Sequence, residues 1–261
     1  MSELTIDERL ERTQWDPFWI DDDVEVVDRP ELMFLSCPRD VPYLNHVVRV
    51  RAEPARVAEV VAEVVAAHAG RTSQWMVTPQ SRSEALLDAL KAAGYRRGHT
   101  HNACSLDVTG VSDWCASGIT VRRVDTMDAL RDAIQVRSRG FDMDEHETED
   151  TLRRALRFCA DPGGRVHRFV AYDDATGAPL STGGMNWYPD LALAFLWGGC
   201  TVPAGRGRGA YRSVVFARAA QVRALGGERM GLYGRVNTSW PILERLGFTR
   251  HGEMVHWFRV G

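Results

Sequence analysis

The sequence predicts an α/β protein of the α+β kind, in which two halves each form a mixed, mostly antiparallel sheet flanked by helices. Three observations carry this. Strand-like and helix-period segments alternate along the chain. Three strand-like stretches, "RVHRFVAYD", "APLSTGGMNWY" and "LALAFLWGGCTV", then follow one another with no helix between them, which makes neighbours antiparallel. Lastly, "LLDALKAAGYRRG" in the first half returns in outline as "PILERLGFTRHG" in the second: a leucine-bearing helix, a glycine, an aromatic residue and a strand. A chain of 261 residues is one large domain or two of ordinary size.

Taken in order, residues 3–14 form a short helix, and "VEVV" and "LMFLS" a hairpin around Asp28-Arg29-Pro30. "YLNHVVRVRA" is a strand. In "EPARVAEVVAEVVAAHAG" Val57, Val60, Val61, Val64 and Val65 recur at helical spacing, and Gly70 ends the helix. "SQWMVTP" is a strand closed by Pro79, "SEALLDALKAAG" a helix stopped by Gly94, and "YRRGHTHNACSLDV" a long strand. Residues 109–118, "TGVSDWCASG", break the pattern with two glycines and several Ser/Thr and are the expected linker. The domains expected are therefore 1–110 and 118–261. The second begins with the strand "ITVRRV", a helix capped by Thr126 and the helix "HETEDTLRRALRFCA". After the three strands come a glycine turn, a helix over 208–225, the strand "RMGLYGRV", a short helix over 238–245 and a strand from Phe248 to Val260.

Bulk properties exclude several functions. Apolar content of 44% with 26% charged residues is that of a folded chain. A net charge of −3 gives no electrostatic case for nucleic acid. No apolar run approaches the roughly 18 residues of a membrane span, and "MSELTIDERLERTQW" is too polar for a secretory signal, so a cytoplasmic protein is expected. The cysteines Cys37, Cys104, Cys115, Cys159 and Cys200 are odd in number and show no CxxC spacing, so neither a metal site nor a disulfide framework is expected. Monomer and homodimer both remain open.

The stretch "CTVPAGRGRGAYRSVV", residues 200–215, places Arg206-Gly207-Arg208-Gly209 between a strand and a helix. A helix start leaves its first N–H groups unpartnered, and its dipole favours an anion there. Two arginines add charge, and two glycines let a phosphate approach the backbone. A Walker A loop is excluded, because the one lysine, Lys91, is far away. A dinucleotide fingerprint is excluded because the turn comes late and follows antiparallel strands.

These residues resemble the signature of the GNAT superfamily of acyl-CoA N-acyltransferases, Arg/Gln-x-x-Gly-x-Gly/Ala between a strand and a helix. Arg206-Gly207-Arg208-Gly209-Ala210-Tyr211 fits it, except that Tyr211 takes the last small position. "CTVP" is similar to the family's strand end, and "RVNTSWPILERLGF" to its "N…LGF" segment. The resemblance is strong over the second half. The first half is similar only in outline, like the degenerate N-terminal half of tandem GNAT proteins, and its "VTPQSRSEALL" contains no glycine.

The resemblance implies an acyl-CoA co-substrate, with acetyl-CoA the expected one, no metal, and a small-molecule amine as acceptor. Antibiotic self-resistance and secondary metabolism both fit. A non-catalytic acyl-CoA-binding protein and an O- or S-acyltransferase are the alternatives. Arg206 to Tyr211 would hold the pyrophosphate. Backbone N–H groups around Cys200, Thr201 and Val202 would meet the pantetheine arm and polarise the thioester. Asn237 would contact the cofactor, cap a helix, or both. The family's usual acid, a tyrosine four residues before Gly-Phe, is here Leu243, which has no proton to give. Tyr233 is one substitute, Tyr211 lies nearer the pyrophosphate, and solvent is a third donor. Candidates for the base are Asp190 and the acidic run Asp142, Asp144, Glu145 and His146, which also suits a cationic acceptor. Cys200 is either an acyl carrier or a small buried thiol. Trp15, Phe18 and Trp19 either wall an acceptor pocket or anchor the terminal segment.

Overall fold

The computed structural model describes residues 4–143 and 147–261. Contacts divide the chain into two compact units: Met1–Cys104 with Tyr233–Gly261, and Ser105–Leu232.

The first unit opens with helix α1 (Ile6–Arg12), closed at its start by a capping box in which Thr5 and Glu8 satisfy each other's backbone N–H groups. Strands β1 (Glu25–Arg29) and β2 (Leu32–Ser36) form the expected hairpin. Next come β3 (His46–Val50), α2 (Val57–Ala67), β4 (Ser73–Val77), α3 (Glu84–Ala92) and β5 (Arg96–Asp107), which carries the chain into the second unit. The chain returns along β10 (Arg229–Arg235), then forms α7 (Trp240–Arg245) and β11 (Thr249–Arg259). The strand order is β1-β2-β3-β4-β11-β5, so the last strand of the chain lies inside this sheet, with Trp257 opposite Trp75.

Alternation of side chains decides what each face of this sheet carries. Val47, Trp75, Val77, Val255 and Trp257 pack with Val57, Val60, Val61 and Val64 of α2 and Leu86 and Leu90 of α3. One polar chain is sealed beside this core. His68 Nε2 lies 2.8 Å from the Leu35 carbonyl and must donate to it. Burial keeps the ring neutral, so Nδ1 accepts from Ser73 Oγ at 2.7 Å, and Ser73 accepts from the Tyr95 hydroxyl at 2.8 Å.

Both copies of the Gly-aromatic pattern lie in this unit. Gly94 (φ 84°) and Gly247 (φ 90°) are left-handed, and the next amides, of Tyr95 and Phe248, donate back to Leu90 and Leu243 at 2.9 and 3.1 Å. Tyr95 and Phe248 are buried. Trp15 lies against the guanidinium groups of Arg12, Arg49 and Arg51, and Trp19 packs beside Val24, Leu35, Cys37 and Leu44. Trp15 and Trp19 thus anchor the N-terminal segment.

The second unit contains β6 (Ile119–Arg123), α4 (Met127–Phe141), α5 (Glu149–Ala160), β7 (Val166–Asp173), β8 (Pro179–Tyr188), β9 (Leu193–Thr201), α6 (Ala210–Ala224) and the start of β10. Thr126 caps α4, as expected, and Thr148 caps α5. The order β10-β9-β8-β7-β6 is antiparallel except at β10, which runs parallel to β9 after the α6 crossover. Cys200 faces α4, where its sulfur lies 3.6 Å from the Val136 carbonyl. A Cβ at Gly183 or Gly199 would meet α6. Helices therefore cover both faces of this sheet. Among the described residues no helix is long and apolar enough to cross a membrane.

Candidate functional site

Strand β9 has two irregularities that leave backbone available. Thr182 stands opposite Cys200 and Gly184 opposite Trp197, so one residue of β8, Gly183, faces two of β9. That is a β-bulge at Gly198-Gly199, with Gly198 at φ 60°. The other edge of β9 is parallel to β10 only at Ala194↔Met230 and Phe195↔Gly231. Beyond Phe195 that ladder stops, and the bulge follows it. The Gly-Gly pair in "LWGGCT" was the available signal, since glycine inside a strand marks a bulge or a close approach of another backbone.

The strand ends at Thr201 and the chain turns through Pro203–Gly205 into the glycine run. Gly207 is left-handed (φ 74°), and the space its side chain would fill is open. Gly209 (φ 80°) is the N-cap of α6 and has no side chain to close the first turn. Donors are thus left at the start of a helix of 15 residues. Arg206 is exposed beside them. Arg208 instead binds Asp173 at 2.6 Å, and this guanidinium holds the Asp173 carboxyl below the usual carboxylate range.

The structure gives Gly209 a different purpose from the one its sequence suggests. A Cβ there would lie 2.8 Å from Ala116 Cβ and 3.2 Å from the Trp114 ring. The segment 109–118 is not a free linker at this point but a strap laid along α6. The Ala116 amide donates to Ser213 Oγ at 3.0 Å, and the Arg212 guanidinium stacks 4.1 Å from the centre of the Trp114 ring. Arg223 pairs with Asp113. Gly209 makes room for the strap, whereas Gly207 is the position left open.

Tyr211, in the first turn of α6, reaches back over β9. A Cβ on Gly199 would be 3.0 Å from its ring and 3.3 Å from its hydroxyl oxygen. The bulk that the signature excludes at this position is taken up by the missing side chain of Gly199. Two turns on, Arg218 is only 1% exposed, with Nη1 donating to the Gly184 carbonyl at 3.2 Å and Nε to that of Val214 at 3.4 Å. Burial pushes its pKa down, and the neighbouring Tyr211 opposes that shift.

The other expected residues fall in several places. Cys200 is buried, and its carbonyl accepts from Ser181 Oγ at 2.8 Å. Thr201 shares a hydrogen bond with Ser181 at 3.0 Å. The Val202 amide is spent on the Leu180 carbonyl at 2.9 Å, so it cannot also polarise a thioester. Ala210 is buried. Asp142 is the exposed, left-handed C-cap of α4 (φ 54°). Asp144, Glu145 and His146 lie outside the described residues. Asp190 is exposed just before β9, at the opposite end of that strand from the glycine turn. At about 3.3 Å per residue it stands on the order of 25 Å along the chain from the bulge.

Asn237, Leu243 and Tyr233 belong to the first unit. Asn237 is exposed, and the cap of α7 is Ser239 rather than Asn237. Leu243 is fully buried, in contact with the backbone of Gly234. The Tyr233 hydroxyl oxygen is shielded from solvent. Burial, and then the charges of Glu11 and Asp7, raise its pKa well above the usual phenol value. Such a phenol holds its proton tightly.

A strand that loses its parallel neighbour, bulges at glycine and runs through a glycine turn into a helix defines a class: the chain has the fold of the GCN5-related N-acetyltransferases, the GNAT superfamily. Among solved structures it is similar to a GCN5-related N-acetyltransferase from Kribbella flavida, with a TM-score of 0.73 and 18% identity over 97% of this chain and 96% of that one. It is also similar to a tandem GNAT protein from the clavulanic acid biosynthesis pathway, with a TM-score of 0.62 and 15% identity over 96% and 87% of the two chains. A GCN5-related N-acetyltransferase from Sphaerobacter thermophilus matches with a TM-score of 0.62 and 15% identity over 90% and 82%. No family model and no curated protein sequence matches the chain.

Proposed function

We propose that this chain is an acyl-CoA-dependent N-acyltransferase, with acetyl-CoA as donor and a small-molecule amine as acceptor. The observation that supports this reading best is the junction of β9, the glycine turn and α6, where free strand edge, bulge and uncapped helix start follow one another. In this reading the pyrophosphate lies against Gly207 and the first amides of α6, with Arg206 adding charge. The pantetheine arm runs along the free edge of β9 beside Cys200 and Thr201. The thioester carbonyl meets the bulge at Gly198-Gly199, where fixed N–H groups stabilise developing oxyanion charge.

Placing amine and thioester together supplies the largest share of the rate, since effective molarities reach about 10⁵ M or more. An amine of pKa about 10 must lose a proton before it attacks. The acidic stretch beginning at Asp142 serves to attract a cationic acceptor, and the proton passes to solvent. The first half, which lacks a glycine turn, acts as scaffold, as in a tandem protein with one degenerate half. A role in self-resistance or secondary metabolism fits the same reading, by analogy with the clavulanic acid pathway protein.

Thermal unfolding with acetyl-CoA is the first test. A ligand that binds only the folded chain stabilises it by RT ln(1 + [L]/Kd), about 2.7 kcal/mol at a hundredfold excess over Kd. Calorimetric titration should then give one site per chain, and thiol release should appear with members of an amine panel. Binding without thiol release for any acceptor would leave a non-catalytic acyl-CoA-binding protein. Absence of binding would remove the reading altogether.

A further inference from the structure

We infer that Tyr211 is the proton donor to the departing thiolate and that Arg218 is the residue that positions it, an assignment that rests on the acyltransferase reading above. Four observations converge. The position of the family's usual acid is Leu243, a fully buried leucine. Tyr233 offers a hydroxyl buried beside Glu11 and Asp7, whose charges oppose loss of its proton. Tyr211 is half-buried, and its hydroxyl oxygen lies 3.3 Å from the Cβ position of Gly199, over the bulge to which the thioester is assigned. Arg218, beneath it on the same helix, is a buried guanidinium without a carboxylate partner among the described residues, and its Nη2 has no hydrogen-bond acceptor there.

A buried guanidinium normally neutralises an anion. Against this one lie Tyr211, the Gly184 and Val214 carbonyls and Gly183 of β8. On this helix and its turn Arg208 is engaged with Asp173, Arg212 with Trp114 and Arg223 with Asp113, and Arg206 is exposed. Negative charge therefore arises beside Arg218 when the Tyr211 oxygen gives up its proton. Gly183 on β8 gives Arg218 its room and Gly199 on β9 gives Tyr211 its room: a Cβ at Gly183 would lie 3.0 Å from Arg218 Nη1.

The step balances. The amine nitrogen bonds to the thioester carbon, and the C–S bond breaks with its electron pair going to sulfur. Tyr211 O–H gives its proton to the thiolate, forming CoA thiol. The proton lost by the amine passes to water, and the phenolate beside Arg218 is reprotonated from water.

The test is Tyr211→Phe, which keeps the ring on Gly199 and removes only the oxygen. With acetyl-CoA and the best amine of a panel, kcat should fall about 10- to 100-fold, at or below the low end of the roughly 10²–10⁴-fold typical of general acids. Its pH profile should lose the alkaline limb, while the melting temperature and the acetyl-CoA KM stay as in wild type. Arg218→Met should lower kcat and move that limb, and Arg218→Lys should restore part of both. If Arg218→Met fails to fold, Tyr211→Phe still decides. A Tyr211→Phe enzyme within twofold of wild-type kcat, or one altered only in KM, overturns the assignment. Wild-type protein that binds acetyl-CoA in calorimetry yet releases no thiol also overturns it and leaves the binding reading intact. Absence of binding overturns both.

Discussion

At Gly209 the backbone sits at φ 80°, and the volume a side chain would occupy belongs to Ala116 and Trp114. At Gly207 the backbone is equally left-handed, but the volume is empty. Alanine at either position carries a left-handed penalty of about 1–2 kcal/mol. Gly209→Ala adds an overpacking cost of about 1–3 kcal/mol against the strap. Urea denaturation should therefore rank Gly209→Ala well below Gly207→Ala in stability, and acetyl-CoA affinity should fall in the Gly207 variant. Equal stability losses would show that the strap does not constrain Gly209. Leu243 makes a second case. Its carbonyl receives the bond that ends α7, and its side chain touches Gly234. Leu243→Tyr is expected to lower stability by about 1–3 kcal/mol through overpacking and to leave kcat no higher. A stable variant with raised thiol release would show that the usual acid position is still functional.

Among the elements, the strap and β9 are the two whose behaviour the local sequence least reveals. The strap has neither helix nor strand, yet Asp113, Trp114 and Ala116 are all tied to α6. A cation–π contact of this kind contributes about 0.5–2 kcal/mol. Trp114→Ala should lose that contact and uncover Gly209. Limited proteolysis should then cut within 109–118 faster than in wild type, while the rest of the chain keeps its protection. Cleavage at the wild-type rate would mean that the indole does not hold the strap. The two left-handed helix ends, by contrast, were legible, because a leucine helix followed by Gly-aromatic specifies the same 6→1 hydrogen bond at Gly94 and Gly247.

For the whole molecule, acid sensitivity follows from buried imidazoles in the first unit. His46 is pushed down to about 3 by burial and by His68, and His101 to about 4 by burial and by Arg235. His256 lies well below its ordinary value through burial and the neighbouring His46, His101, Arg235 and His99. The ring centres of His46 and His101 are 5.7 and 5.0 Å from that of His256. A folded pKa below the unfolded value means that the unfolded chain binds more protons over that interval, so stability rises with pH there. Stability should therefore be lost progressively as pH falls from about 6.5 toward the folded values. Glu11, whose pKa burial raises, acts in the opposite sense at the acid end. Denaturant midpoints at pH 7.5, 6 and 5 should decrease in that order, and the decrease should shrink in His46→Phe. A flat profile would show that these rings are not held neutral.

The sequence by itself determined the kinds and order of elements, the caps at Thr126, Gly94 and Gly247, and the strand–turn–helix junction at residues 200–215. These rest on short-range rules: side-chain period, the φ that glycine permits and the hydrogen bonds of a helix end. Tertiary structure alone decided that Gly209 is covered, that the Val202 amide is spent, that Tyr211 lies over Gly199, and that β11 pairs with β4. Each of those facts depends on a partner remote in the chain, as Trp114 is from Gly209, and no local pattern encodes which distant surface will occupy the space that a glycine leaves.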